Sequence, residues 1–224
     1  NTNVNIYDNY ITLFQKNFVS PVANFGLSFY RYYLIDSLFI ENQWCYQLMF
    51  KPRRKQELTF AGTIWVHDTT FAVKRVEMEM SGDMNLNFVS AGKVMQEYRL
   101  IDGKYWMLTK DYLMGDFNIT RKSKTVGVYG HRSTSSQNFV FDQPRDDKFY
   151  KSPVGVIIEE GANEKDDAYW AIARHDSLTV RENGIYEMID SIKSVPLFET
   201  YMDLGYMLIN GYYIWGNFEI GPYN

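Results

Sequence analysis

The sequence predicts an α+β protein that is mainly β, with an antiparallel sheet, strongly twisted or half-closed, over residues 27–141 and helices behind it. Three observations predict this. Aromatic side chains are abundant, with 18 Tyr, 15 Phe and 5 Trp among 224 residues, and flat, stiff rings pack well on a pleated, half-buried surface. From about Leu27 to Phe141 apolar residues recur with period two between closely spaced turn residues, the pattern of an antiparallel meander or barrel-like sheet. After Phe141 that alternation stops and helix-start signals replace it.

Residues before Leu27 read as a short helical or loop segment. The clearest strand is Gln43 to Phe50, where Trp44, Tyr46, Leu48 and Phe50 share one face against Gln43, Cys45, Gln47 and Met49, so one face is expected to be buried. Next, Leu58, Phe60, Gly62, Ile64 and Val66 share a face, and beyond a polar knot Val76, Met78 and Met80 do so against Glu77 and Glu79. The apolar phase slips by one residue between Val73 and Val76, which predicts a β-bulge near Lys74-Arg75. Further strands are expected over Asn85–Leu100, Tyr105–Ile119 (after an Ile-Asp-Gly-Lys turn), Lys124–Tyr129 and Gln137–Phe141.

Beyond a polar loop at Asp142–Lys148 and an acidic stretch at Glu159–Asp167, Thr179-Val-Arg-Glu182 matches a capping box, in which hydroxyl and carboxylate satisfy the first amides of a helix running to about Lys193. Pro196 stands where a second helix would open, ending at Asn210-Gly211, a pair that fits a hairpin turn equally well. Leu204 to Phe218 carries no charge and five aromatic residues. It is too short for the ~20 residues of a membrane helix, but a membrane β-strand needs only ~9–11; the other reading is a helix end followed by a core strand. The organisation expected is a sheet domain over residues 1–150 with residues 151–224 packing on it.

Composition narrows the function. Hydrophobic content of 46% with 22% charged residues is ordinary for a globular chain that buries a sizeable core. Residues 1–150 carry 18 Lys+Arg against 15 Asp+Glu, and residues 151–224 carry 5 against 12, which sum to the net charge of -4. The one basic cluster, Lys51-Pro-Arg-Arg-Lys55, falls in an expected loop, so a nucleic-acid partner is not indicated. A single cysteine, Cys45, excludes an internal disulfide and any CxxC site; in an apolar ribbon it reads as a small core residue. The first ten residues lack the pattern of a signal peptide, and neither end reads as a natural boundary, so a segment of a longer chain is expected.

His67-Asp68 is one of very few places where catalytic residue types stand side by side. Neither it nor His131 or His175 sits in a HxH, HExxH or GxSxG pattern. The pair is therefore expected at a solvent-exposed hairpin tip, where Asp and Thr side chains satisfy local backbone groups. On that reading His67→Ala shifts stability by no more than ~0.5 kcal/mol. No catalytic residue, metal site or cofactor is predicted.

Ser20-Pro21, Tyr32-Tyr33-Leu34, Asp36-Ser37, KPRRKQELTFAGTIWV at 51–66, FAVKRVEMEM at 71–80, LNFV at 86–89, QEYRL at 96–100, YWMLTKDYL at 105–113, GHRSTSSQNF at 130–139 and EIGPY at 219–223 resemble a bacterial family of unknown function. Its members are usually named for a carboxypeptidase-regulatory-like domain that precedes this region. The resemblance covers roughly residues 4–223. It implies a Gram-negative outer-membrane protein with an immunoglobulin-like sandwich first, this region in the periplasm, and a membrane β-barrel after it. The middle is also similar to the lipoprotein-carrier half-barrel, a curved antiparallel sheet around an apolar cavity, through the strand order and the G-x-I-W-V hairpin. No functional residue is carried across from either.

Together these readings give a non-enzymatic periplasmic module that binds an apolar or lipidic ligand, or a protein partner, beside an outer-membrane barrel. The candidate cavity lining is Trp44, Tyr46, Phe60, Ile64, Val76 and Met78. A structural spacer without a ligand, and a hydrolase using His67, Asp68 and His131, are the other classes.

Overall fold

Short polar turns between period-two runs leave each strand only its sequence neighbour to pair with, and the sheet follows that rule throughout. In the computed structural model, which describes residues 4–81, 89–118, 127–144, 146, 161, 165–174, 177–193, 213–215 and 218–220, the chain divides into units Asn1–Val156 and Ile157–Asn224. The first unit opens with a hairpin, β1 (Tyr10–Leu13) and β2 (Lys16–Val19), and a single helical turn, α1 (Gly26–Phe29). Seven strands follow: β3 (Tyr30–Ile40), β4 (Gln43–Pro52), β5 (Phe60–His67), β6 (Val73–Met80), β7 (Val89–Ile101), β8 (Tyr105–Asn118) and β9 (Gly127–Ser135). They form one antiparallel sheet in sequence order, open because its outer strands β3 and β9 do not pair with each other. Glu41 and Asn42, with φ of 47° and 63°, make the two-residue turn between β3 and β4. Asp102 and Gly103 (φ 52° and 65°) turn β7 into β8 at the expected place.

The anticipated bulge is present: Trp65 pairs with Arg75 and Val66 with Val73, leaving Lys74 as the extra residue. Another falls at Ile35, between the pairs Leu34–Leu48 and Asp36–Gln47. Two expectations fail. Gln137–Phe141 is not a strand; the chain has left the sheet after Ser135. Residues before Leu27 are not mere helix or loop but the β1–β2 hairpin and the cover of the sheet.

Registers place Phe50, Gly62, Met78, Val94 and Leu113 in one cross-strand row and Leu48, Ile64, Val76, Gln96 and Asp111 in the next, on one face. Gly62 is required there, since a Cβ would collide with the Glu77 carbonyl. Over these rows lies the N-terminal segment: Val4, Ile6, Ile11, Leu13, Phe18 and Val19 join Phe50, Phe60, Ile64, Val76, Met78 and Val94 in a single core. The Phe18 and Phe60 rings stand 5.0 Å apart.

Hydrogen bonds fix the cover to the sheet. The Val19 amide donates to Leu58 O over 2.9 Å. The buried Tyr30 hydroxyl donates to Val19 O and accepts from the Phe60 amide at 3.1 Å, and burial pushes its pKa well up. Gln96, with no exposed surface, donates to Val4 O and to Asp111 Oδ1, each over 2.8 Å. It accepts from the Tyr98 hydroxyl at 2.9 Å, while Arg132 closes the set on Asp111 Oδ2 at 2.8 Å. A buried amide so placed has its polar groups matched, which removes the penalty of burying them.

In the second unit, described by itself, Asp166 caps α2 (Asp167–Ala173) by accepting from the Tyr169 amide at 2.8 Å. The capping box opens α3 (Val180–Lys193): the Thr179 amide donates to Glu182 Oε2 over 2.8 Å and the Glu182 amide donates back to Thr179 Oγ1 over 3.3 Å. Tyr213–Trp215 and Phe218–Ile220 form an antiparallel pair, β10 and β11. The helix expected from Pro196 and most of Leu204–Phe218 lie outside the described residues.

Because Phe60 is packed against Phe18 rather than facing space, Phe60→Ala is predicted to cost the full ~3–5 kcal/mol of a large-to-small core change. Urea unfolding of the variant checks it; a loss below about 1.5 kcal/mol, the range of a tolerated core swap, would mean the N-terminal cover is not seated in solution.

Candidate functional site

The six residues expected to line a cavity divide into two sets. Phe60, Ile64, Val76 and Met78 are buried beneath the N-terminal segment. Displacing the four large side chains Ile6, Ile11, Leu13 and Phe18 would forfeit about 1.5–3 kcal/mol each, together on the order of the whole binding energy of a micromolar to nanomolar ligand. This part of the face is structural core.

Trp44 and Tyr46 lie beyond the cover. Cross-strand pairing sets Phe39 against Trp44, Ser37 against Tyr46 and Leu34 against Leu48, and alternation from Phe50 puts all of them on the core face of the sheet. Here Leu34 is 66% exposed, Phe39 68% and Tyr46 37%, and the Phe39 and Trp44 rings meet at 4.8 Å. Contiguous exposed apolar side chains are uncommon on a monomeric surface away from a binding site. Leu34 and Phe39 fall outside the lining that periodicity predicts because the β3 bulge reverses the alternation between them, so no single period-two count puts both on one face.

A polar cluster closes the adjoining end of the sheet. Glu41, at the β3–β4 turn, accepts from Lys74 Nζ at 2.6 Å and from Arg99 on β7 at 2.5 Å. The Lys74 side chain is only 5% exposed, so Glu41 supplies the counter-charge that its burial demands. Lys74 Nζ also lies 5.9 Å from the centre of the Trp106 ring. Hydrogen bonding to Lys74, with the nearby positive charges of Lys74 and Arg99, outweighs desolvation and holds the Glu41 carboxyl below its ordinary value.

His67 and Asp68 do occupy a hairpin tip, where the His67 amide donates to Ala72 O and the Phe71 amide to His67 O. The imidazole is not solvent-exposed, however. Its side chain is 13% exposed and its ring sits 5.3 Å from that of Trp106, a partner on β8 that no local pattern could announce. The Thr70 amide points at Nδ1 over 3.3 Å and the Thr70 hydroxyl lies 2.9 Å from it, which makes Nδ1 the acceptor and leaves the ring proton on Nε2. Asp68 Oδ1 is 3.7 Å from Nε2, beyond hydrogen-bond reach. What this geometry does is close a turn.

Cys45 is buried, and desolvation raises its thiol pKa, which disfavours a reactive thiolate. His131 stacks on Tyr112 at 5.9 Å, away from the His67 turn in sequence and strand; His175 lies outside the described residues. Among the described residues, no group of three or more His, Cys, Asp or Glu is placed to hold a metal, and no helix is long and apolar enough to cross a membrane, which says nothing of strands.

An open seven-stranded antiparallel sheet closed on one face by its own N-terminal segment defines the class of protein. The family model "Family of unknown function (DUF5686)" matches residues 1–135, more than half of the chain, and the chain belongs to that family. Comparison with curated proteins and with solved structures returned no match.

Two outcomes follow from the His67 turn and the polar cluster. His67→Ala removes ring packing and the acceptor of the Thr70 bonds, so a loss of about 1–2 kcal/mol is predicted; a change of ~0.5 kcal/mol or less in urea unfolding would restore the exposed-turn reading. For Glu41, a folded pKa below the unfolded one gives stability that is complete above the ordinary value of 4.5 and lost as the pH falls through the folded value. Glu41→Gln is therefore predicted to melt below the wild type at neutral pH, with the gap closing as the pH is lowered past 4.5. A gap independent of pH would exclude the carboxylate as its source.

Proposed function

We propose that this chain is a non-enzymatic binding module, a periplasmic part of a Gram-negative outer-membrane protein, which takes an apolar or lipidic ligand or a protein partner beside a membrane β-barrel. The observation that carries the binding reading is the uncovered corner of Leu34, Phe39, Trp44 and Tyr46. It is an apolar surface continuous with the core face but beyond the reach of the N-terminal cover. Its compartment and barrel neighbour rest on the family resemblance of the quoted motifs.

The half-barrel form belongs to the same reading. Strands lie about 4.8 Å apart, so Glu41 at the β3–β4 turn and Arg99 on β7 would stand about 14 Å or more apart in a flat sheet; their side chains nevertheless meet. His67 on β5 and Trp106 on β8 are likewise three strands apart, with rings at 5.3 Å. Both contacts support a sheet that bends toward itself at the end where the apolar corner lies.

A fluorescent acyl-chain probe titrated into the purified chain tests the binding reading. Phe39→Asp and Tyr46→Asp are each predicted to weaken uptake about tenfold, in keeping with ~1.5–3 kcal/mol per buried large side chain, and to leave the melting temperature little changed. Equal uptake by wild type and both variants, or none by the wild type, would sink the lipidic-ligand reading.

A further inference from the structure

We propose that β3 is a self-association edge: two copies of this chain join by antiparallel pairing of their β3 strands, Tyr33 opposite Tyr33, into one continuous fourteen-stranded sheet. This goes beyond the ligand surface and does not rest on it. Among the described residues β3 has a strand neighbour on one side only, β4. Its eleven residues, YRYYLIDSLFI, include no Lys or Pro, two of the usual devices that keep an edge from pairing. Tyr33, Leu34 and Ile35 are all exposed.

The register points to a second copy rather than an unrelated strand. Residues directly opposite in an antiparallel pair share a face. Arg31 and Tyr33 pair with Lys51 and Met49, on the face away from the core. After the bulge at Ile35, Asp36 pairs with Gln47 and rejoins that same face. With Ile35 bulged out, pairing β3 with its own copy about Tyr33 sets Tyr32 opposite Leu34 on the core face and Arg31 opposite Asp36 on the other. The charge pair occurs twice, once on each side of the two-fold axis. Of the face-matched registers this is the one that opposes the two charges of the strand. Both side chains are exposed, and Asp36 Oδ1 accepts from the Ser37 amide at 2.7 Å. Pairing β3 with the opposite edge, β9, would instead be head-to-tail and would grow an open filament, whereas the two-fold arrangement closes.

Sedimentation equilibrium of the 224-residue chain tests this. The wild type is expected to be dimeric. Arg31→Asp and Asp36→Arg, each of which puts like charges opposite at both pairs, are expected to raise the dimer dissociation constant at least about tenfold. Mixing the two single variants in equal amounts is expected to restore a dimer, since one then carries Asp at both positions and the other Arg. The double variant is expected to dimerise by itself. Melting curves matching the wild type would show that each variant is folded. A monomeric wild type, single variants that associate as tightly as the wild type, or a mixture that stays monomeric would overturn the proposal; acyl-probe uptake is read separately, at Phe39 and Tyr46 rather than at Leu34, which the pairing covers.

Discussion

The first unit depends on one constraint: an antiparallel sheet of seven strands with a single apolar face must have that face covered, and the cover is the chain's own residues 4–29. Neither half is complete alone. The β1–β2 hairpin has four residues per strand, too little to be stable in water by itself, and the sheet without it would expose Phe60, Ile64, Val76 and Met78. The Tyr30 hydroxyl stands at the junction, bonded to the cover through Val19 and to β5 through Phe60.

Polar groups decide where the cover ends. Gln96 and Asp111 interrupt the apolar rows, yet one binds the start of the cover through Val4 O and the other holds Arg132 of β9. They fix the lateral position of the N-terminal segment in a way that non-directional apolar packing cannot. At the far end Lys74, set into the core margin by the bulge, needs Glu41 beside it. Between these two polar anchors the face is buried apolar core; outside them the apolar corner at Leu34, Phe39, Trp44 and Tyr46 is left open.

Much of the sheet was legible in the sequence because strand period and turn chemistry are local. The alternation in Gln43–Phe50, the Asp102-Gly103 turn and the phase slip before Val76 each correspond to an observed feature, as does the capping box at Thr179–Glu182. What covers a face is a long-range property and left no such trace. YITL and KNFV are too short to display a period, so the hairpin they form went unread. Gln137–Phe141 has strand composition but, among the described residues, pairs with no strand. Periodicity places Trp44 and Phe60 on inward-facing positions alike, yet cannot tell that Phe60 packs on Phe18 within the core while Trp44 stands outside that cluster. His67 was misplaced for the same reason, its neighbour Trp106 being thirty-nine residues away.

The Val4–Gln96 bond joins residues 92 positions apart, and this has a consequence for the order in which the molecule is made. On the ribosome residues 4–29 emerge before the sheet, and the surface they must settle on is not finished until β7 and β8 have followed. Contacts of such sequence separation form slowly, because the loop must close before the contact can repay the lost entropy. Through that interval Ile6, Ile11, Leu13 and Phe18 lack the surface that buries them in the folded unit, and exposed apolar segments favour aggregation. Docking of the cover thus cannot precede β7 and β8, and any factor that delays it lengthens the time in which nascent chains are open to aggregation.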